Sequence, residues 1–151
     1  MKQYIGTKII EAAPAIRKGG KVYDLTWPIP KSMEPEEPGY RVRYPDGYES
    51  WSPKDVFEEA YRPTDAMSFG LAIEAAKKGK RIARKEWNGK RQYVELATAI
   101  SYTSPIGAVV NAEHDAIGNQ ALAFVGTSGV QMGWLASQAD MLADDWMIVG
   151  S

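Results

Sequence analysis

No cysteine occurs in this 151-residue chain, and histidine occurs once, at His114. The first absence excludes a disulfide framework, a cysteine nucleophile and thiolate metal sites, and it suits a reducing, cytosolic setting. The second leaves no His-x-x-x-His pair, and no carboxylate spacing completes a metal site around the single imidazole, so no metal is expected. No apolar run approaches the ~18 residues of a membrane span, and the start lacks the basic, apolar, small-residue order of a secretory signal. An excess of one charge is also missing. Eighteen Lys and Arg stand against 19 Asp and Glu, a formal net charge of −1, whereas a protein that coats long nucleic acid is clearly basic. Neither a membrane nor long nucleic acid is therefore expected as a partner. No glycine pattern follows a strand and opens a helix in the dinucleotide or P-loop manner, so no cofactor is expected.

What the chain does have is 44% hydrophobic residues and five Trp, enough for a packed core. Its length suits one compact domain or two small ones. The punctuation favours two: a strand, hairpin and helix module over residues 1–63, and an α+β ligand-binding domain over 67–151. In the first, Met1 to Ala13 reads as a strand that Pro14 ends. Gly19 to Gly39, with prolines at 28, 30, 35 and 38, reads as a loop with little regular structure. Pro45-Asp46-Gly47 between alternating runs predicts a hairpin. Ser52-Pro53-Lys54-Asp55 predicts a helix to about Tyr61, with Ser52 as cap and Pro53 at the first helical position. So small a module would be marginally stable by itself.

The second domain is organised around Met67 to Asn88. Ser68 is a helix cap, Phe69, Ala72, Ile73 and Ala76 make one apolar stripe, and Gly79 supplies the left-handed stop. Arg81 to Arg84 then alternates as a strand, and Trp87-Asn88-Gly89 reads as a turn. Strands follow at Gln92 to Leu96, Leu122 to Val125 and Val130 to Trp134. Between the first two, Ala97 to Gln120 reads as a long loop with a weak strand near Ala108 to Val110. Ser137 and Asp140 carry the cap-and-acid pattern of a short helix, whose N-terminus could receive an anion. Trp146 to Val149 closes the chain as a buried strand. The expected architecture is α+β, a small antiparallel sheet packed with a helix.

Catalytic residues are scarce. His114 sits beside Asp115 in a Gly- and Ala-rich stretch. Ser52, Ser68 and Ser137 are all accounted for as caps, which leaves no nucleophile with a base beside it. Asp144 and Asp145 could form an acid/base pair or a magnesium site, but adjacent residues point apart in most backbones. Binding is better served. A nucleotide-like ligand needs a flat apolar surface, cations or N–H groups for phosphate, and amides or carboxylates for ribose hydroxyls. Phe69 and Trp87 offer the first, Arg84 with Arg81 or Lys85 the second, and Asn88, Gln138, Asp140 and Asp144 the third. The plainer alternative makes Phe69 a helix core residue, lets Trp134 and Trp146 fill the sheet, and leaves Asp140 as half of a capping box.

Three separated motifs, Ser-Phe-Gly-Leu-Ala-Ile, Arg-Ile-Ala-Arg-Lys-Glu-Trp-Asn-Gly and Gly-Trp-Leu-Ala-Ser-Gln-Ala-Asp-Met-Leu-Ala-Asp-Asp-Trp, resemble a small phage family. Its members include the second type of Thoeris anti-defence protein, and the likeness runs from Met67 to Val149. The resemblance implies a non-enzymatic sponge in the host cytoplasm during infection, which sequesters a cyclic ADP-ribose-type signal, with cyclic di- or trinucleotides as further candidates. It implies a homotetramer, and the small concave surface of one such unit points to pockets shared between subunits; the residues expected to form the ligand site are Phe69, Arg84, Trp87, Asn88, Trp134, Ser137, Gln138, Asp140 and Asp144. Gly-Tyr-Arg-Val-Arg-Tyr-Pro-Asp-Gly-Tyr-Glu-Ser-Trp in the first module resembles a segment of many phage proteins and brings context without chemistry. The alternative function is a non-enzymatic phage interaction or assembly module, and a nucleotide-processing enzyme stands third.

Overall fold

The computed structural model describes residues 1–111 and 117–150. The chain divides into two compact units, Met1–Arg62 and Pro63–Ser151.

The first unit is a four-stranded antiparallel sheet with one helix. Its strands are β1 (Glu11–Lys18), β2 (Lys21–Asp24), β3 (Glu37–Arg43) and β4 (Glu49–Pro53), in the order β2-β1-β3-β4, followed by α1 (Lys54–Ala60). The hairpin around Pro45-Asp46-Gly47 is β3–β4, as the turn chemistry predicts. Pro14, expected to end a strand, lies inside β1. Its carbonyl accepts from Leu25 N–H beyond the end of β2, so its nitrogen faces the same side and no ladder bond to β3 is lost. The expected Gly19–Gly39 loop likewise contains β2 and the start of β3. The α1 cap is Pro53 rather than Ser52, and no side chain caps it. Stacked rings of Tyr40, Phe57 and Tyr61, with centroids 4.2 and 5.0 Å apart, lay the helix on the sheet.

The second unit begins with α2 (Phe69–Lys77), capped by Ser68, whose hydroxyl accepts from Leu71 N–H. Gly79, at φ 88°, ends it. Then come β5 (Arg81–Arg84), a 3-10 turn (Lys85–Lys90), β6 (Tyr93–Ala97), β7 (Ser101–Thr103), β8 (Val109–Asn111), β9 (Ala121–Gly126), β10 (Gly129–Met132), α3 (Gln138–Leu142) and β11 (Trp146–Val149). Five strands form an antiparallel sheet, β10-β9-β6-β5-β11, and β7–β8 stand apart as a hairpin within the stretch expected to be a long loop. Register places Ile82, Val94 and Phe124 in a row across β5, β6 and β9, with Trp146 beside Arg84 on the same face. Ala72, Ala75 and Ala76 of α2 pack on that face around the fully buried Trp146, Ile82 and Val94. Small residues on the helix let it approach the sheet closely enough to cover a tryptophan. The architecture is α+β.

No helix among the described residues is long and apolar enough to cross a membrane.

Candidate functional site

Where the 3-10 turn meets the sheet, five aromatic rings come together. Trp146, fully buried on β11, lies against Phe69 at 5.3 Å, Trp87 at 5.3 Å and Trp134 at 6.2 Å between centroids. Trp87 also sets its edge against Phe124 at 5.4 Å and Trp134 at 5.8 Å, while Phe124 and Trp134 stack at 23°. Edge-to-face pairs of this kind contribute about 1 kcal/mol each beyond area burial. Phe69, Trp87, Phe124 and Trp134 each remain half-exposed. The cluster is thus both the wall of the core and an aromatic surface.

The turn read at Trp87-Asn88-Gly89 is the 3-10 turn Lys85–Lys90, closed by Arg91 in the left-handed region at φ 55°, and the Trp87 ring packs against three others. Trp134 was expected inside a strand and lies just beyond β10, where Trp134 N–H donates to Leu122 O at 2.9 Å. Phe124 went unnoticed as a site residue, although alternation in β9 sets it on the face of Leu122, across from Val94.

Arg84 is held rather than free. Its Nε donates to Asp145 Oδ1 at 2.9 Å, its second terminal nitrogen to Asp145 Oδ2 at 3.4 Å, and its first to Asp140 Oδ1 at 3.1 Å. The bond to Asp145, then the one to Asp140, raise its pKa above the ordinary arginine value against the opposing effect of burial. Burial pushes Asp140 upward, but the Ser137 N–H and hydroxyl, with Arg84, outweigh it and hold the carboxyl below its usual range. Asp140 also completes the capping box, taking Ser137 N–H at 3.1 Å and giving its own N–H to Ser137 Oγ at 3.1 Å. Its carbonyl accepts from Trp146 Nε1 at 2.8 Å. Asp140 therefore ties α3 to both the arginine and the buried tryptophan.

Of the expected residues, Phe69, Trp87 and Trp134 meet in the ring cluster, and Arg84, Asp140 and Ser137 meet in the polar brace beside it. Asn88, Gln138 and Asp144 are exposed, with no contact that places them at either group. Asp145, not Asp144, carries the pairing. The α3 N-terminus offers little to an anion, since the helix has five residues and Ser137 Oγ already takes Asp140 N–H. Exposed Lys85, Lys90 and Arg91 on the 3-10 turn are cations without an ion-pair partner among the described residues. His114 and Asp115 lie outside the described residues. Among those described, no group of three His, Asp or Glu is placed to hold a metal.

Residues 67–149 match the family described as Tad2-like, the Thoeris anti-defense 2-like domain. The chain is also similar to Thoeris anti-defense 2 of Bacillus phage SP01. Identity there is 36% over 88 residues, spanning 55% of this chain and 94% of that protein.

Proposed function

This chain belongs to the Thoeris anti-defense 2-like family of phage proteins, and from that premise we propose that it blunts Thoeris defence by sequestering the cyclic nucleotide signal. The ligand class is glycocyclic ADP-ribose, with cyclic di- or trinucleotides as further occupants, and the site is built on the half-exposed rings of Phe69, Trp87 and Trp134. One observation carries this reading: the half-exposed rings of Phe69, Trp87 and Trp134 converge on one buried tryptophan, with Phe124 packed against two of them, beside a run of cations without an ion-pair partner among the described residues. A base stacked on such a ring gains about 1 to 3 kcal/mol. Lys85, Lys90 and Arg91 suit pyrophosphate better than the doubly paired Arg84, and Asn88 and Gln138 suit ribose hydroxyls.

We expect capture without turnover, since hydrolysis of a glycosidic or pyrophosphate bond requires a positioned acid, base or metal and the chain has no cysteine and a single histidine. Nanomolar capture requires about −12 kcal/mol. A pocket shared with another subunit, in a homotetramer working in the host cytoplasm, supplies what one small unit lacks. Residues 1–66 lie outside the family match. That unit suits the second reading, an adaptor to other phage or host proteins.

Thermal scanning against a panel of cyclic nucleotides tests the sponge. A ligand at 100 times its dissociation constant stabilises by about 2.7 kcal/mol. Heat-denatured complex should then release the ligand chemically intact by mass spectrometry. A linear product accumulating beyond one equivalent per site would replace capture with catalysis.

A further inference from the structure

Alternation along β6 and β9 puts a polar side chain on the face that carries the rings. Val94 pairs with Phe124, and side chains two apart share a face, so Gln92, just before β6, lies on the side of Val94, and Gly126 on the side of Phe124. The register, carried one residue past Tyr93 and Val125, sets Gln92 opposite Gly126. Gln92 is half-buried. Its backbone N–H donates to Trp87 O at 3.5 Å, while its side-chain amide has no hydrogen-bond partner among the described residues. An amide offers two donors and an acceptor, and a half-buried one left unengaged costs stability.

Gly126 explains what lies between. Its φ is outside the left-handed region, so the backbone does not require glycine there. Space requires it: a Cβ would stand 2.8 Å from Phe124 Cε1 and 3.7 Å from Gln92 Nε2. Phe124 cannot move clear without giving up its edge contact with Trp87, at 5.4 Å, and its stack on Trp134. The missing side chain therefore leaves a niche with a ring on one side and an unengaged amide on the other. The planes of Phe124 and Trp134 differ by only 23°, so a flat group lying along one is nearly parallel to the other. A ring for the face and an amide for the edge are what a nucleobase needs.

We propose that Gln92 reads the edge of an adenine whose face lies against Phe124, and that Gly126 keeps the place open. An amide presents a donor and an acceptor side by side. Adenine answers with an acceptor at N7 and a donor at its N6 amine. Guanine and hypoxanthine present two acceptors on that edge, N7 and O6, which sets the amide carbonyl against an oxygen. Resting on the sponge reading above, this role for Gln92 names the base that the site takes. Gly126 is a positioning residue, acting through the Phe124 ring.

Calorimetric titration with a glycocyclic ADP-ribose and with its hypoxanthine counterpart tests both roles. Wild-type protein should bind the adenine compound roughly tenfold more tightly. Gln92→Met keeps the length of the side chain and removes its hydrogen bonds, so the preference should fall to near one with the thermal transition unchanged. If the methionine lowers the melting temperature, Gln92→Ala serves instead. A merely structural role would weaken both compounds alike and leave their ratio in place. Gly126→Ala should weaken both several-fold and add no further loss in a Phe124→Ala background, as a residue acting through that ring must. A wild type without preference, or a Gln92→Met variant that keeps it, overturns the role of Gln92 and leaves the sponge standing. Gly126→Ala protein that binds as the wild type does overturns the niche. Wild-type protein that binds neither compound, nor any other cyclic nucleotide, removes the sponge reading and the base site with it.

Discussion

Both units are antiparallel sheets with a helix, yet they are held by different forces. The second buries Met67, Ala72, Ala75, Ala76, Ile82, Val94 and Trp146 in one apolar cluster. The first buries only Ala15, Ile16 and Val42 among its large-sheet apolar positions, and with them the polar side chains of Lys18 and Asp24. Lys18 Nζ donates to Pro30 O at 2.7 Å and pairs with Glu36 at 3.4 Å. Arg41 bonds Asp24 at 2.8 Å and lies 5.1 Å over Trp27, while Arg17 lies 4.3 Å over Trp51. A core of hydrocarbon tolerates salt and acid. A core of paired charges responds to both, because each pair offsets a desolvation cost that returns when one partner changes state. The two units should therefore fail under different insults.

The largest expected effect is on the apolar side. Trp146→Ala removes the ring on which Phe69, Trp87 and Trp134 rest and leaves Asp140 O without its indole donor. Its cost is about 3–5 kcal/mol. Calorimetry should show the second unit's transition lost or sharply lowered while the first unit's survives. Loss of both together would mean that the units fold as one.

Next comes the weak point of the first unit. A Cβ on Gly39 would fall on the Ser52 carbonyl oxygen and within 2.7 Å of the Trp51 ring. Backbone on β4 cannot swing aside as a side chain would, so Gly39→Ala should cost up to about 3 kcal/mol by overpacking. In a unit with so little apolar burial, that is enough to unfold it. The check is selective loss of the other calorimetric transition, the mirror image of the Trp146 result.

The same contrast explains which parts were legible in the sequence. In the second unit, α2, β5, α3 and β11 appear where the apolar stripe, the caps at Ser68 and Ser137 and the alternation put them. Local signals suffice when periodicity, capping and stop residue agree. In the first unit, β2 and the true extent of β1 were hidden, because Pro14 reads as a terminator until the partner strand shows which side its nitrogen faces. The site was half legible. Residue types pointed to Phe69 and Trp87 as an aromatic surface and let Trp134 fill the sheet, but no sequence pattern says that Trp87 packs edge-on against three rings, or that Arg84 spends its donors on Asp140 and Asp145. Those are pairings across 56 and 61 residues of chain.

A smaller effect follows from that packing. Trp87→Ala should cost about 2 kcal/mol, since its ring contacts Phe124, Trp134 and Trp146. Trp87→Phe keeps most of the packing and shrinks the stacking surface. If the ring cluster is the ligand surface, titration calorimetry should show binding lost in the alanine variant and weakened several-fold in the phenylalanine variant, the latter at near wild-type stability. Binding that tracks stability alone across the two would take the ligand away from Trp87 and leave it a core residue.

The subtlest separation of the two units is by acid. Thr26 N–H at 2.9 Å, then Arg41 Nε at 2.8 Å and the Thr26 hydroxyl at 2.8 Å, hold the Asp24 pKa at about 2. The unfolded chain's aspartate titrates near 3.9. A carboxyl whose folded pKa is depressed stabilises the fold above the unfolded value, and that contribution is lost as pH falls through the folded one. The first unit should thus hold its stability at pH 5 and above and lose it progressively between about pH 4 and pH 2. Asp140 in the second unit is depressed as well, so its direction is the same. There, however, an apolar core remains when the brace to Arg84 lets go. Thermal scans at pH 7, 4 and 2.5, with each transition assigned by Gly39→Ala and Trp146→Ala, should show the first unit's midpoint falling further. Asp24→Asn should start lower at neutral pH and lose less on acidification, because its amide has no proton to gain. A first-unit midpoint that stays level down to pH 2.5 in the wild type would mean that Asp24 is not what holds those strands together, and the contrast between a charged core and an apolar one would have to be abandoned.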